Sequence, residues 1–244
     1  MVKRRRTIPE ARWSQTEDFV ELALAWKSDA TKALWQYVWQ GWDCYSTEIL
    51  SKINLLEADE QIERMITQDL ELDIRRVMSG YEPFAIQHER FEGELRTVAP
   101  ARPKQCDLSF VWLANRRITY PIEAKVLKSD NDNGVKAYVE EISENFLKFR
   151  YAPFSSEGGM LGYLLQGSSE IAFKNIEIAV SCTLSDHPDF VGRDHKISDH
   201  QRVVPEDKTY PDKFRCHHLL LQLSKEPNGK QVSRKRKSSK KLSD

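Results

Sequence analysis

Apolar residues at spacings of three and four positions indicate amphipathic helices in several parts of the chain. We expect a helical hairpin within residues 14–50, and its second helix has an aromatic face. That face consists of Trp35, Val38, Trp39, Trp42, Tyr45 and Ile49. A third helix is predicted at 57–79, where Gly80 provides a C-terminal stop. Two later helices are predicted at 135–150 and 169–176.

Short apolar stretches bounded by turn-forming residues indicate β-strands. The predicted strands cover residues 84–96, 106–113, 118–127, 160–166, 177–184 and 214–223. Residues 114–117 separate the second and third of these strands, which is typical of a hairpin. Residues 185–213 are polar and contain several prolines, so we predict a long loop there.

The aromatic face of the hairpin has two interpretations at this stage. It packs onto the main body as core, or it is a docking surface for a second copy or a partner protein, because Trp and Tyr favour interfaces. An exposed hairpin rich in Trp would be an aggregation liability, which favours the core interpretation.

Charge is balanced over the whole chain, with 37 basic and 37 acidic residues, but it is segregated. Residues 3–6 are all basic, and residues 225–244 contain eight basic and two acidic residues. Residues 7–224 contain 25 basic and 35 acidic residues, a net charge of −10. The basic ends either contact nucleic acid phosphates or serve as solvated ends. The C-terminal segment has almost no apolar content, so we expect a disordered tail.

Composition excludes several classes of protein. No apolar stretch approaches the length of a transmembrane helix, and no apolar segment follows the basic start as in a secretory signal. The four Cys are far apart and form no CxxC pair, which argues against a disulfide framework or a zinc ribbon. We therefore expect a cytoplasmic protein without a membrane partner.

The chemistry-bearing segment is the predicted hairpin at residues 105–128. Alternation along a strand puts Glu123 and Lys125 on one face and directs Ala124 into the core. If the turn is centred between residues 115 and 116, pairing positions add up to about 231. Asp107 then lies opposite residues 123–125, so the sequence predicts that Asp107, Glu123 and Lys125 converge.

Two adjacent carboxylates repel each other and need a cation between them. Mg²⁺ suits such oxygen ligands, and a neighbouring Lys can orient water or stabilise charge on a phosphate. A divalent cation held by two carboxylates beside a Lys is suited to phosphodiester hydrolysis. The alternative interpretation is a surface salt bridge between Glu123 and Lys125 on an exposed strand.

The order helix, strand, Asp-bearing strand, Glu-x-Lys strand, helix and strand resembles the PD-(D/E)xK, or restriction-endonuclease-like, nuclease superfamily. Asp107, Glu123 and Lys125 carry the resemblance, and GGMLGYLLQG at 158–167 is similar to the later half of such domains. Cys106 replaces the Pro of the family's Pro-Asp dipeptide.

The resemblance implies an α/β fold with a restriction-endonuclease-like mixed central β-sheet flanked by helices. The corresponding organisation has an N-terminal helical unit at 1–56, a nuclease core at 57–224 and a disordered basic tail at 225–244.

The resemblance also implies roles for particular residues. Asp107, Glu123 and the Ala124 carbonyl would bind Mg²⁺ or Mn²⁺, and Lys125 would position the attacking water. A further helix carboxylate is expected, for which Glu71 is the candidate and Asp73 the competitor. Lys136 and Lys148 lie off the apolar face of the following helix, where they either meet a phosphate or are ordinary exposed lysines.

The function implied is an Mg²⁺-dependent endodeoxyribonuclease acting in defence against foreign DNA or in DNA repair. Two alternatives stay open: a non-catalytic interaction module with the same fold, and nucleic acid binding through the basic ends alone.

Histidines are concentrated in the C-terminal third of the chain. They are His187, His195, His200, His217 and His218. Cys182 and Cys216 lie nearby in sequence, but the spacing matches no familiar zinc motif. We therefore expect structural, hydrogen-bonded histidines rather than a zinc site.

Overall fold

The computed structural model describes residues 29–48, 57–92, 104–128 and 132–223. Within these residues, the seven strands are β1 Phe84–Phe91, β2 Gln105–Trp112, β3 Thr119–Lys128, β4 Glu157–Gln166, β5 Ser185–Asp186, β6 His195–Gln201 and β7 Lys213–Gln222. They form one mixed sheet in the order β1-β2-β3-β4-β7-β6-β5. The predicted helix before residue 29, the N-terminal basic residues and the C-terminal tail lie outside the described residues.

Strand β4 is the centre of the sheet and pairs in parallel with β3 on one side and β7 on the other. The remaining pairs are antiparallel. Every residue of β4 except its first and last is buried, as expected for a strand covered on both faces.

Helices cover both faces of the sheet. They are α1 Asp29–Glu48, α2 Asp59–Val77, α3 Asp132–Glu140 and α4 Ser169–Val180, and α3 continues into a π-helical segment, Glu141–Phe146. One core is shared by α1, α2 and one sheet face, and a second core is shared by α3, the π-helical segment, α4 and the other face. The chain is therefore an α/β protein with a mixed sheet flanked by helices, as the sequence predicts.

The aromatic face of α1 belongs to the core. Trp35, Trp39 and Trp42 are all buried, and Trp35 Nε1 donates a hydrogen bond of 3.2 Å to the Tyr120 hydroxyl. Gly159 of β4 makes room for the indole, because a Cβ at this position would lie 2.1 Å from the Trp35 ring. The core interpretation is thereby confirmed, and the docking interpretation of this face is wrong.

Two predictions in the C-terminal third are wrong. The segment predicted as a strand at 177–184 begins as helix, because α4 extends to Val180 and Ser168 caps its start by accepting a hydrogen bond from the Ile171 amide. Ile178, an apolar residue near the start of this segment, is 67% exposed. The predicted loop at 185–213 contains β5 and β6, which extend the sheet beyond β7. Strand β6 consists mostly of polar residues, so a prediction based on hydrophobic patterns does not detect it.

Among the described residues, no helix combines the length and apolar character needed to cross a bilayer.

Candidate metal centre

The hairpin of β2 and β3 brings the predicted acidic residues together. Leu108 pairs with Ile122 and Ser109 with Pro121, so pairing positions add up to 230, close to the predicted sum. Two hydrogen bonds extend this register to the carboxylates. The Ala124 amide donates to Asp107 Oδ2 at 2.8 Å, and the Asp107 amide donates to Glu123 Oε2 at 3.3 Å. Each carboxylate is thus held by the backbone of the other strand.

Lys125 lies among four carboxylates, which we call the carboxylate cluster: Asp107, Glu123, Glu63 and Glu141. Its Nζ is 3.1 Å from Glu63 Oε1, 3.4 Å from Glu123 Oε1 and 3.9 Å from Glu141 Oε1. The ammonium also donates to the Ala124 carbonyl at 2.6 Å. The Lys125 side chain is only 17% exposed, so the surface salt-bridge interpretation does not describe this arrangement.

The helix carboxylate of the cluster is Glu63, not Glu71 or Asp73. Glu63 lies in the second turn of α2, and its Oε2 also accepts a hydrogen bond of 3.1 Å from the Val126 amide. Glu71 is two turns further along, roughly 12 Å at the α-helical rise, and pairs with Arg75 at 2.5 Å. Asp73 pairs with Arg76. Because Glu63 and Glu71 each follow a residue of the same buried stripe, periodicity alone does not distinguish them.

Glu141 is the other residue that sequence reasoning missed. It begins the π-helical segment after α3, and its carboxylate accepts hydrogen bonds from the Tyr151 hydroxyl at 3.3 Å and from the side-chain amide of Asn145. No motif identifies it, because Glu140, Glu141 and Glu144 are all acidic residues of one predicted helix.

The carboxylate cluster holds more negative charge than one Lys balances. Burial, followed by repulsion from Asp107, raises the pKa of Glu123 well above its ordinary value. Burial also raises the pKa of Asp107, and it raises the pKa of Glu63 to about 7 in spite of the attraction of Lys125. Burial alone would lower the pKa of Lys125, but the surrounding carboxylates outweigh it and raise the pKa. A further cation at this position would relieve the repulsion.

The donor set suits a hard divalent cation. Carboxylate oxygens of Asp107 and Glu123 and the carbonyl of Ala124 are the kind of ligands that Mg²⁺ takes, usually one or two carboxylates together with water. Lys125 now contacts Glu123 and the Ala124 carbonyl, so a bound metal would share these oxygens with the ammonium. Within the described part of the chain, the only group of three or more His, Cys, Asp or Glu side chains with ligand atoms inside 4.8 Å is a set of histidines elsewhere.

Neither predicted phosphate-contacting lysine joins the carboxylate cluster. Lys148 is exposed and pairs with Glu144 at 2.7 Å. Lys136 is exposed and lines a surface groove between α3 and α4 together with Val139 and Ile178. Both positions agree with ordinary surface lysines on the helix.

Comparisons with family models, curated proteins and solved structures gave no match to this chain.

Proposed function

We propose that this protein is a metal-dependent nuclease that hydrolyses DNA phosphodiester bonds, in keeping with the PD-(D/E)xK resemblance of its sequence. The observation that carries the proposal is the convergence of Asp107 and Glu123 from neighbouring strands beside Lys125. Defence against foreign DNA or DNA repair is the biological setting that we attach to this activity.

Asp107, Glu123 and the Ala124 carbonyl are the proposed ligands of Mg²⁺ or Mn²⁺. When bound, the cation would supply Lewis-acid polarisation of the phosphate and neutralise the charge that develops there. The excess of carboxylates over cations in the carboxylate cluster supports this assignment: burial, followed by repulsion from Asp107, raises the pKa of Glu123, and a bound cation would offset both effects.

Lys125 and Glu63 take different roles in the proposal. The pKa of Lys125 is raised, so it stays protonated at neutral pH and stabilises negative charge on the substrate rather than accepting a proton. Glu63 has a pKa of about 7, near the value that suits a general base, and it can take up the proton of an attacking water. Both side chains are partly exposed and therefore accessible to a substrate.

Plasmid and linear DNA, with a parallel RNA substrate, test the proposal in Mg²⁺, Mn²⁺ or EDTA. We expect cleavage of DNA that EDTA abolishes, and a loss of about 100-fold or more in Glu123→Gln and Lys125→Ala. Glu71→Gln is the matched control, since it removes a buried, ion-paired carboxylate outside the carboxylate cluster and should retain activity.

Three results would contradict the proposal: cleavage that persists in EDTA, wild-type activity in a folded Glu123→Gln protein, or cleavage of RNA alone. A folded wild-type protein that binds no Mn²⁺ and cleaves nothing would favour the non-catalytic interaction module instead.

A further inference from the structure

Three histidines that are distant in sequence meet at the far side of the sheet from the carboxylate cluster. His187 follows β5, His195 begins β6 and His217 lies in β7. Each offers a ring nitrogen, and these nitrogens all lie within 4.8 Å of one another. Antiparallel pairing of Ile197 with His217 puts His195 diagonally beside His217 on the same face of the sheet.

The histidine set faces α1, whereas Glu123 faces the opposite side of the sheet. His217 pairs with Gly159, which is covered by Trp35 of α1. Gly159 in turn pairs with Ile122, whose side chain joins the α1 core. Because side chains alternate along a strand, Glu123 points to the other face. The histidines are therefore a separate site.

The surroundings keep the three imidazoles neutral. The Trp35 ring lies 5.4 Å from the His195 ring and 5.0 Å from the His217 ring, and Phe190 stacks on His195 at 5.0 Å. Burial lowers the pKa of His187 to about 4 and also lowers the pKa values of His195 and His217. Neutral imidazole is the form that binds a metal ion.

One nitrogen of the set has no hydrogen-bond partner. His217 is buried, and its Nε2 forms no hydrogen bond among the described residues. Glu157 Oε2 lies 3.6 Å from this nitrogen, beyond hydrogen-bonding distance. Glu157 also lines an open cavity of about 610 Å³ together with His200 and Arg215.

The competing interpretation is a structural role, because the three histidines already form hydrogen bonds. Trp39 Nε1 donates to His195 Nδ1 at 3.3 Å, His195 Nε2 lies 3.0 Å from His217 Nδ1, and the Asp189 amide donates to His187 Nδ1 at 3.1 Å. A metal ion bound at Nε2 of His187 or His195 would move that ring's proton to Nδ1 and displace the present donor. The loss is a few hydrogen bonds, each much weaker than the net binding free energy of a structural zinc site.

We propose that His187, His195 and His217 bind one first-row transition cation, with Zn²⁺ as the first choice and Glu157 or water as the fourth ligand. Three neutral imidazoles suit Zn²⁺, which takes four ligands, and distinguish this site from the all-oxygen carboxylate cluster. The site is independent of the proposed nuclease activity. It differs from the expectation of structural, hydrogen-bonded histidines, which rested on sequence spacing.

Metal binding to the full-length, chelator-treated protein tests the proposal. We expect one Zn²⁺ per chain by competition with a chromophoric chelator, and a visible spectrum of tetrahedral nitrogen-coordinated Co²⁺. His187→Asn should weaken Zn²⁺ binding by about 100-fold or more. His200→Asn replaces a histidine of β6 that lies outside the set, and this variant should bind like wild type.

His217→Asn should also weaken Zn²⁺ binding, but His217 is buried, so the fold of this variant is checked by circular dichroism. If His217→Asn does not fold, His187→Asn decides the outcome. A wild-type protein that binds neither Zn²⁺ nor Co²⁺ would overturn the proposal in favour of the hydrogen-bonded network. Undiminished binding in folded His187→Asn would also overturn it, as would equal losses in His200→Asn.

Discussion

Neutralising Glu63 should stabilise the metal-free protein at alkaline pH. The folded pKa of Glu63 is about 7, whereas its ordinary value is 4.5, chiefly because the carboxylate is buried. Between these two values the folded state binds more protons than the unfolded state, so stability falls as pH rises through this window. Below pH 4.5 Glu63 is protonated in both states and does not lower the stability, whereas above pH 7 the loss of stability is complete.

The size of the effect follows from the difference between the two pKa values. At about 1.4 kcal/mol per pKa unit, ionised Glu63 costs about 3 kcal/mol of unfolding free energy above pH 7. Gln imitates the protonated acid, so Glu63→Gln should gain up to about 3 kcal/mol at pH 8 and nothing at pH 4. Asp107 and Glu123 shift in the same direction, so the variant should retain part of the wild-type pH dependence.

Urea unfolding of the two proteins at about pH 4, 6 and 8 in EDTA measures this difference. Glu82→Gln is an opposite control. Burial alone would raise the pKa of Glu82, but hydrogen bonds from Tyr37 and Ser79 lower it to about 2. Glu82 therefore stabilises the fold above its ordinary pKa and loses this contribution as pH falls toward 2, so its replacement should destabilise the protein at neutral pH.

Parallel stability profiles of wild type and Glu63→Gln across this pH range would refute the reasoning, because Glu63 would then titrate alike in both states. Added Mn²⁺ should also recover stability of the wild type at pH 8, and no recovery would argue against a cation at the carboxylate cluster.

Two further predictions concern packing and the basic tail. Gly159→Ala brings a Cβ to 2.1 Å from the Trp35 ring and should lower the free energy of unfolding by about 1–3 kcal/mol, measured by thermal unfolding. Adding Trp35→Phe to this variant should recover part of the loss. A wild-type melting curve for Gly159→Ala would contradict the packing. Removal of residues 225–244 deletes a net charge of +6 and should weaken DNA binding, with a salt slope reduced by about 0.9 per lost phosphate contact in an anisotropy titration; an unchanged slope would identify a solvated end.

Local patterns in the sequence were sufficient for most helices and for the convergence of Asp107 with Glu123. A short hairpin connection fixes the register of two neighbouring strands, and alternation then fixes which side chains share a face. The burial of Trp35 and Trp39 follows in the same way from helical periodicity, because a continuous aromatic stripe is stable only when another layer covers it.

Tertiary structure decided which more distant residues join each site. Glu63 and Glu71 follow the same stripe of α2, and only the direction in which that helix crosses β3 selects Glu63. His187, His195 and His217 meet because β6 pairs with β7, and β6 itself is too polar for a hydrophobicity pattern to reveal. Sequence spacing determines a contact when a short connection restricts the chain. It does not determine contacts that depend on how separate layers and edge strands pack, since many relative orientations satisfy the same local pattern.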